Sequence, residues 1–402
     1  MQVVFLTSNY PPEAHGGTEQ VVSALARSLC AAGVGVTVLT ASDRVHFGVD
    51  RHDAVYEGVP VQRYYKHHGE WDRDGFHRPR LVGLVREALR TLQPDVVHVH
   101  SFASLGTGCL AACHELGIPV VFTAHDLWVT CARYFRLPPA GVVCPVGADR
   151  GACAVCLDRD LQVGPAAVLG LLAQRDAAVR AEVALAAAVT APSHAAAQFV
   201  RECLPYTGAI HVVPHGLLRP VPAAARSPAP RPGEVLRIGT FGNLVAEKGV
   251  RELVAATAGL PCELHLAGRF LDPGFAASVR ELARNQGTVL VEHGPFGPDD
   301  PHPARSLHLA VFPSKCQETY GLVVDEALAH GVPAVLSTGG AFADRRGLPG
   351  LLVAPLPELP MVLARLLRQP AELAALRAAV PIELPTIAAS AAFHLDLYRR
   401  LG

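Results

Sequence analysis

The chain has 402 residues, half of them hydrophobic, and carries 35 Lys plus Arg against 36 Asp plus Glu. That length exceeds one ordinary core and suits two α/β domains, while the near-zero net charge gives no basic field for nucleic acid. No run of 18 apolar residues offers a transmembrane span.

Met1–Thr7 lacks a charged leading stretch and runs into Pro11-Pro12, so it reads as a strand and not as a secretory leader. Ten cysteines without a leader point to a reducing cytoplasm and not to a disulfide scaffold. In chain order, Val3–Thr7, Val36–Thr40, Val96–His100, Val120–Thr123, Val189–Ala191 and Ile210–Val213 read as strands. Thr18–Ala32, Pro79–Leu92, Ser104–Leu116, Ala166–Leu185 and His194–Cys203 read as helices between them. Continuous Val/Leu/Ile runs separated by helices predict a parallel sheet covered on both faces.

The first domain is expected over residues 1–215, with a cysteine-rich loop at 126–160. Residues 216–234 hold five prolines, too many for the interior of any element, and read as a linker. Alternation then restarts over 235–380, with strands at Leu236–Thr240, Glu263–Ala267, Thr288–Glu292, Leu309–Phe312, Ala334–Leu336 and Leu351–Val353. Residues 381–402, from Ile382 onwards, read as a terminal helix. Two α/β halves joined in this way are expected to face each other across a cleft, with ligands at the carboxyl edges of the sheets.

Several polar loops follow predicted strands. Gly16 and Gly17 come after the first strand, where close backbone approach lets N–H groups meet a phosphate or a sugar hydroxyl. No G-x-G-x-x-G follows that strand, which argues against a nicotinamide enzyme. His125-Asp126 follows the fourth strand; the plain alternative is a strand-end histidine partnered by Asp126. His98 reads as packing, and His100 stays open.

Cys131, Cys144, Cys153 and Cys156 form C-x12-C-x8-C-x2-C in a segment with little apolar content. Four thiolates there suit a structural Zn2+, and four free thiols or a redox pair are the other readings. Asp72-Arg73-Asp74 and Asp158-Arg159-Asp160 follow no apolar strand and read as surface charge.

Lys248, one of only three lysines with Lys66 and Lys315, lies in Asn243-Leu244-Val245-Ala246-Glu247-Lys248-Gly249 directly after a strand. It supplies a cation at a helix start, where anions already bind well. The most informative stretch is Pro313–Pro333, with the frame Pro-Ser-x3-Glu318-x2-Gly321-x4-Glu326-Ala-x3-Gly-x-Pro. Gly321 permits a sharp turn that exposes helix-start N–H groups, and Glu326, a turn further in, suits two hydroxyl hydrogen bonds, as from a ribose.

That frame resembles the E-x7-E motif of retaining GT-B glycosyltransferases of the family-four type. The Asn243–Gly249 loop resembles the family's Gly-Arg-Leu-x3-Lys-Gly, and Pro11–Gly17 its Pro-Pro-x3-Gly-Gly. His125–Cys131 matches a subset with His-Asp-x-Trp-x2-Cys and further cysteines.

The resemblance implies a GT-B fold: two Rossmann-like α/β domains and a C-terminal helix crossing back to the first. It implies sugar transfer from a nucleoside-diphosphate sugar to a carbohydrate, lipid-linked or small-molecule acceptor. Anomeric configuration would be retained and no cofactor would be needed for chemistry. Lys248 would clamp the diphosphate, Glu318 the donor-sugar hydroxyls and Glu326 the ribose. Gly16, Gly17, Asn243, Tyr320, Gly321 and Leu322 would line the donor, and His125 would meet donor sugar and acceptor. Peripheral membrane contact is compatible with a lipid-linked acceptor.

Two positions depart from the family pattern. Asn243 replaces the usual Arg, a lost charge that Arg269 or Lys315 would have to make good. His215 stands where relatives carry Asn before Gly216. Both keep alive a second reading, a catalytically silent binding or scaffold protein of the same fold.

Overall fold

The structure, a computed structural model, describes residues 1–46, 48–67, 76–137, 144, 149–204, 206–297 and 299–402. It divides into two compact units, Met1–Leu218 with Pro385–Gly402, and Arg219–Leu384.

The first unit opens β1 (Gln2–Thr7), α1 (Gly17–Ala31), β2 (Gly35–His46), β3 (Arg51–Tyr56) and β4 (Val59–His67). It continues α2 (Pro79–Leu92), β5 (Val96–Val99), α3 (Cys109–Glu115), β6 (Val120–Thr123), α4 (Gly151–Leu161) and α5 (Pro165–Ala184). β7 (Ala188–Ala191), α6 (His194–Cys203) and β8 (Ile210–Val212) complete its sheet. The strand order is β3-β4-β2-β1-β5-β6-β7-β8, parallel except for the β3–β4 hairpin. β5, β6 and β7 are buried at every position, as expected for strands with a layer on each face.

The second unit contains β9 (Leu236–Phe241), α7 (Val250–Ala256), β10 (Cys262–Ala267), α8 (Pro273–Gln286), β11 (Val289–Gly294) and β12 (Leu309–Phe312). α9 (Leu322–Ala329), β13 (Ala334–Leu336), α10 (Ala341–Asp344), β14 (Leu351–Val353), α11 (Leu359–Arg368) and α12 (Pro370–Ala378) follow. Its all-parallel sheet has the order β11-β10-β9-β12-β13-β14. The period of two along β12 divides the core between the faces. Leu309 and Val311 join one cluster with α7 and α11 residues, and Ala310 and Phe312 join another with α9 residues.

The final helix, α13 (Ile387–Leu401), belongs to the first unit. It starts later than the expected 382 because Pro385 precedes the cap, where Thr386 Oγ1 accepts from Ala389 N at 3.3 Å. A short backbone pairing secures its approach: Leu217 N donates to Pro385 O at 2.8 Å and Ile387 N to Leu217 O at 3.0 Å. Further along, Tyr398 Oη lies 2.5 Å from His98 Nδ1 within the core.

Sequence patterning located twelve of the strands, and the β3–β4 hairpin escaped it. β3 alternates but is mostly exposed, so it carries no apolar run. α3 starts at Cys109 and not at Ser104, since Gly106 and Gly108 adopt φ of 93° and 109°. α4 was hidden inside the cysteine segment. The Pro-rich stretch after Leu218 packs on the second unit: Ser227 N donates to His330 O at 2.8 Å and Ser227 Oγ to Leu307 O at 2.6 Å. Asp72-Arg73-Asp74 lies outside the described residues. Among the described residues, no helix is long and apolar enough to cross a membrane.

Gly216 has φ +70°, and a Cβ there would sit 2.5 Å from the Pro385 carbonyl carbon. Gly33 has φ +82° and open space around it. Gly216→Ala is therefore expected to destabilise clearly more than Gly33→Ala, which carries only the left-handed backbone penalty of about 1 kcal/mol. Denaturant unfolding of the two variants measures the difference, and equal losses would refute the close-approach argument.

Candidate donor site and the histidine edge

Two loops at the carboxyl ends of adjacent strands β9 and β12 meet in the second unit. Gly249, at φ +71°, lies so close to Pro313 that a Cβ would fall 1.9 Å from its carbonyl oxygen. Lys315 N donates to Glu247 O at 2.8 Å, stitching the loops further. This contact explains why glycine must follow Lys248.

The outcome is an ion pair, with Lys248 Nζ 2.6 Å from Glu318 Oε1. Burial pushes the Lys248 amine down, but Glu318, with Cys316 and Glu247 behind it, pulls it up, so it is held above the ordinary lysine range. Glu318 is itself fixed by the loop after β13. Ala341 N donates to Glu318 O at 2.7 Å, and Gly340 leaves no room for a Cβ beside that carbonyl. Ser337 Oγ also donates to Ser314 O at 2.6 Å. The Ser337–Gly340 loop was missed from sequence, although a glycine pair after a strand is the same signal that singled out Gly16 and Gly17.

Gly321 caps α9 with φ +83° and no side-chain cap, so the first N–H groups of this helix stay open to an anion. The loop before it is braced by Tyr320 together with two residues the sequence did not single out, Asp325 and Arg345. Tyr320 Oη donates to Asp325 Oδ2 at 2.5 Å, and Arg345 donates to Asp325 Oδ1 at 2.5 Å. The Arg345 guanidinium also lies 5.0 Å over the Tyr320 ring. By position Asp325 is a first-turn acid of α9, and only Arg345, twenty residues on, reveals its use.

Glu326 is half-buried, with Oε2 3.6 Å from His302 Nε2. His302 stacks on His330 at 4.5 Å, and neither histidine had been assigned to this place. Asn243 is exposed beside Leu244, whose N–H donates to Arg269 O at 3.0 Å, so the exposed Arg269 neighbours the position of the missing charge. Lys315 does not fill that gap, because its amine pairs with Glu252 at 3.1 Å.

In the first unit, Gly16 caps α1 without a side-chain bond, but Glu19 folds back to where a Gly16 Cβ would point. A carboxylate thus occupies part of that helix start and counts against a phosphate there. Asp126 accepts from Trp128 N at 2.8 Å, tightening the turn after β6. Burial pushes its carboxyl up to about 6. His125 Nε2 lies 2.7 Å from His100 Nδ1, and burial holds His125 well below the ordinary histidine range.

His98 is more than packing. Its Nε2 lies 2.6 Å from Thr123 Oγ1, and its Nδ1 meets Tyr398.

Cys131, Cys144, Cys153 and Cys156 line one cavity together with Arg133, Arg136, Arg150 and Arg175. Arg133 donates to Cys156 Sγ at 3.5 Å and Arg150 to Cys153 Sγ at 3.8 Å. The donor set therefore suits a tetrathiolate ion, whose negative charge the guanidinium groups would offset. Among the described residues, however, no three His, Cys, Asp or Glu side chains stand grouped to hold a metal. Arg150 pairs with Asp176 at 2.7 Å and donates to Thr130 O at 3.1 Å, so this module also anchors the turn that follows His125. In Asp158-Arg159-Asp160, Arg159 and Asp160 are exposed as expected of surface charge, while Asp158 Oδ1 accepts from Gly164 N at 2.6 Å.

Arg345→Ala should leave Asp325, buried at 2 % exposure, without its cation and cost about 3 kcal/mol. Chemical denaturation tests this; a loss below about 0.5 kcal/mol, normal for surface positions, would show the brace to be inert.

Residues 15–217 match the model of Glycosyltransferase Family 4, and residues 235–369 match that of Glycosyl transferases group 1. Glycogen synthase of Mycobacterium tuberculosis is 27% identical over 384 residues, covering 88% of this chain and 83% of that protein.

Among solved structures, sucrose-phosphate synthase from Thermosynechococcus elongatus superposes with a TM-score of 0.68 at 18% identity, covering 100% of this chain and 98% of that one. Anabaena HepE in complex with UDP and glucose gives 0.64 at 16%, covering 100% and 99%. The catalytic domain of starch synthase IV from Arabidopsis thaliana, bound to ADP and acarbose, gives 0.64 at 15%, covering 99% of each chain. These likenesses establish the GT-B fold with its two parallel-sheet α/β domains. With one family model spanning half of the sequence and a second covering most of the remainder, the chain belongs to Glycosyltransferase Family 4.

Proposed function

We propose that this glycosyltransferase moves a sugar from a nucleoside-diphosphate sugar to a carbohydrate, lipid-linked or small-molecule acceptor, with retention and without a catalytic metal. The observation that carries the reading is the Lys248–Glu318 pair at 2.6 Å, in the same motif as the open helix start at Gly321. A diphosphate needs positive charge most as it departs, and a lysine and free helix N–H groups supply it. Structures of the same fold hold UDP with glucose, or ADP, which agrees with a nucleoside-diphosphate donor.

In this reading the bond from the anomeric carbon to the diphosphate oxygen breaks through an oxocarbenium-like state. The acceptor oxygen bonds that carbon on the same face, and its proton passes to the leaving phosphate. Glu318, engaged by Lys248, holds donor-sugar hydroxyls and does not act as a nucleophile. Glu326 holds the ribose, with His302 beside it, and Arg269 stands in for the charge absent at Asn243. Tyr320, Gly321 and Leu322 shape the donor loop; Gly16, Gly17 and His125 belong to the sugar and acceptor end. We place the protein in the cytoplasm, in keeping with ten free cysteines.

Nucleoside-diphosphate sugars should raise the melting temperature and be turned over slowly to nucleoside diphosphate. In Lys248→Ala, kcat should fall by about 100-fold, since the charge acts chiefly on the departing diphosphate. Binding without any turnover would favour the silent-scaffold reading that Asn243 keeps alive. A raised KM with intact kcat would reduce Lys248 to ground-state binding.

We also propose that Cys131, Cys144, Cys153 and Cys156 hold a structural Zn2+. Burial pushes the Cys144 thiol up to about 11, so without metal it stays protonated, and the ion would supply what deprotonates and orders it. About one zinc per chain is expected from elemental analysis of protein purified without a chelating tag. Metal far below stoichiometric, with four freely titratable thiols, would refute the site.

A further inference from the structure

We infer that His100 and His215 are positioning residues for His125, which stands between them in a row of three imidazoles with ordered protons. His100 follows β5, His125 follows β6 and His215 follows β8, so the row lies along the carboxyl edge of the first sheet. Nδ1 of His100 lies 2.7 Å from Nε2 of His125, and Nδ1 of His125 lies 3.2 Å from Nε2 of His215. The His125 and His215 rings stack at 4.8 Å and 26°. Phe5 packs its edge on His100 at 4.4 Å, and His98 lies against it at 3.9 Å. All three rings are buried, with exposures of 2, 5 and 6 %.

Facing the row are His98 from β5, His394 from α13, Asp126 from the turn after β6, and, beyond that carboxyl, Glu19 and Arg175. Burial is the first cause that keeps each imidazole neutral, and His215 is pushed down to about 3.

The end of the row orders its protons. Three neutral rings carry three N–H groups; the two internal bonds use two, and the third belongs at one end. At the His100 end, Nε2 is buried with no hydrogen-bond partner among the described residues. An orphaned buried N–H is rarer than an orphaned acceptor, so the spare proton sits at the His215 end. His100 Nδ1–H then donates to His125 Nε2, and His125 Nδ1–H donates to His215 Nε2.

Both nitrogens of His125 are thereby engaged. The residue serves as a fixed neutral group and does not titrate as a base. His215 is more than a departure from the family's Asn: its Nε2 accepts where an Asn side-chain oxygen would also accept. The functional part of this inference rests on the acceptor-end reading of His125 given above; the proton order does not.

The test is 15N NMR of histidine-labelled full-length protein between pH 6 and 8, together with transferase kinetics. Wild type should show His125 as a single Nδ1–H tautomer that does not titrate. His215→Leu should release it into mixed tautomers and lower kcat by about ten- to a hundredfold, with donor KM little changed, as expected of lost orientation. His215→Asn should restore both readouts. If His215→Leu does not fold, His100→Phe, which keeps an aromatic ring but removes the donor, should likewise free His125 Nε2.

Mixed tautomers in wild type, or a folded variant with unchanged spectrum and kcat, would overturn the inference. A single ordered tautomer in a protein that transfers no sugar would instead sink the functional reading and leave the row standing.

Discussion

The pairing of Lys248 with Glu318 is the contact around which the carboxyl edge of the second unit's sheet is arranged. The two residues come from different loops, 70 positions apart, and their charges are brought to 2.6 Å only because the backbones beneath them are in contact. Gly249 against Pro313, and Gly340 against Glu318, are the close approaches that permit it, each with no space for a Cβ. Parallel strands end on one edge of a sheet, so loops that are distant in sequence become neighbours there. Burial works against the lysine's charge, and Glu318 leads the neighbouring groups that hold its pKa above the ordinary range.

Around that pair, order is maintained by partners and not by rigidity of the loops themselves. Asp325 takes a hydroxyl from Tyr320 and a guanidinium hydrogen bond from Arg345, holding the turn at Gly321 in the conformation that leaves helix N–H groups open. Charged hydrogen bonds of this kind are strong when well aligned, but each partner becomes costly if left alone. The site is thus assembled cooperatively from β9, β12, β13 and α10.

The first unit solves a different problem, that of polar rings inside a parallel sheet. His98, His100, His125, His215 and His394 are all buried, and burial keeps each of them neutral. A buried polar group is tolerated when it is hydrogen-bonded, and these rings meet one another, Thr123 and Tyr398. Through Tyr398 the terminal helix joins the same network as the strands. The cysteine and arginine module holds the next turn, since Arg150 reaches Thr130 and Arg175 lies under Trp128.

The sequence by itself determined the alternation of buried strands and helices, the two-unit division and the loops that carry Lys248, Glu318, Gly321 and Glu326. Those features rest on local apolar runs, glycine at forced turns and short-range spacing, all of which are written along the chain. Strands with no apolar run, such as exposed β3, were not legible, nor was α4 within a segment that reads as loop. Only the tertiary structure decided which polar groups became partners. Arg345 on Asp325, Lys315 on Glu252 and not on the site, His302 beside Glu326, and the row from His100 to His215 all join residues from separate elements and loops. The physical reason is that hydrogen bonds and ion pairs depend on where strand ends converge, and that convergence follows from sheet order, which no local pattern encodes.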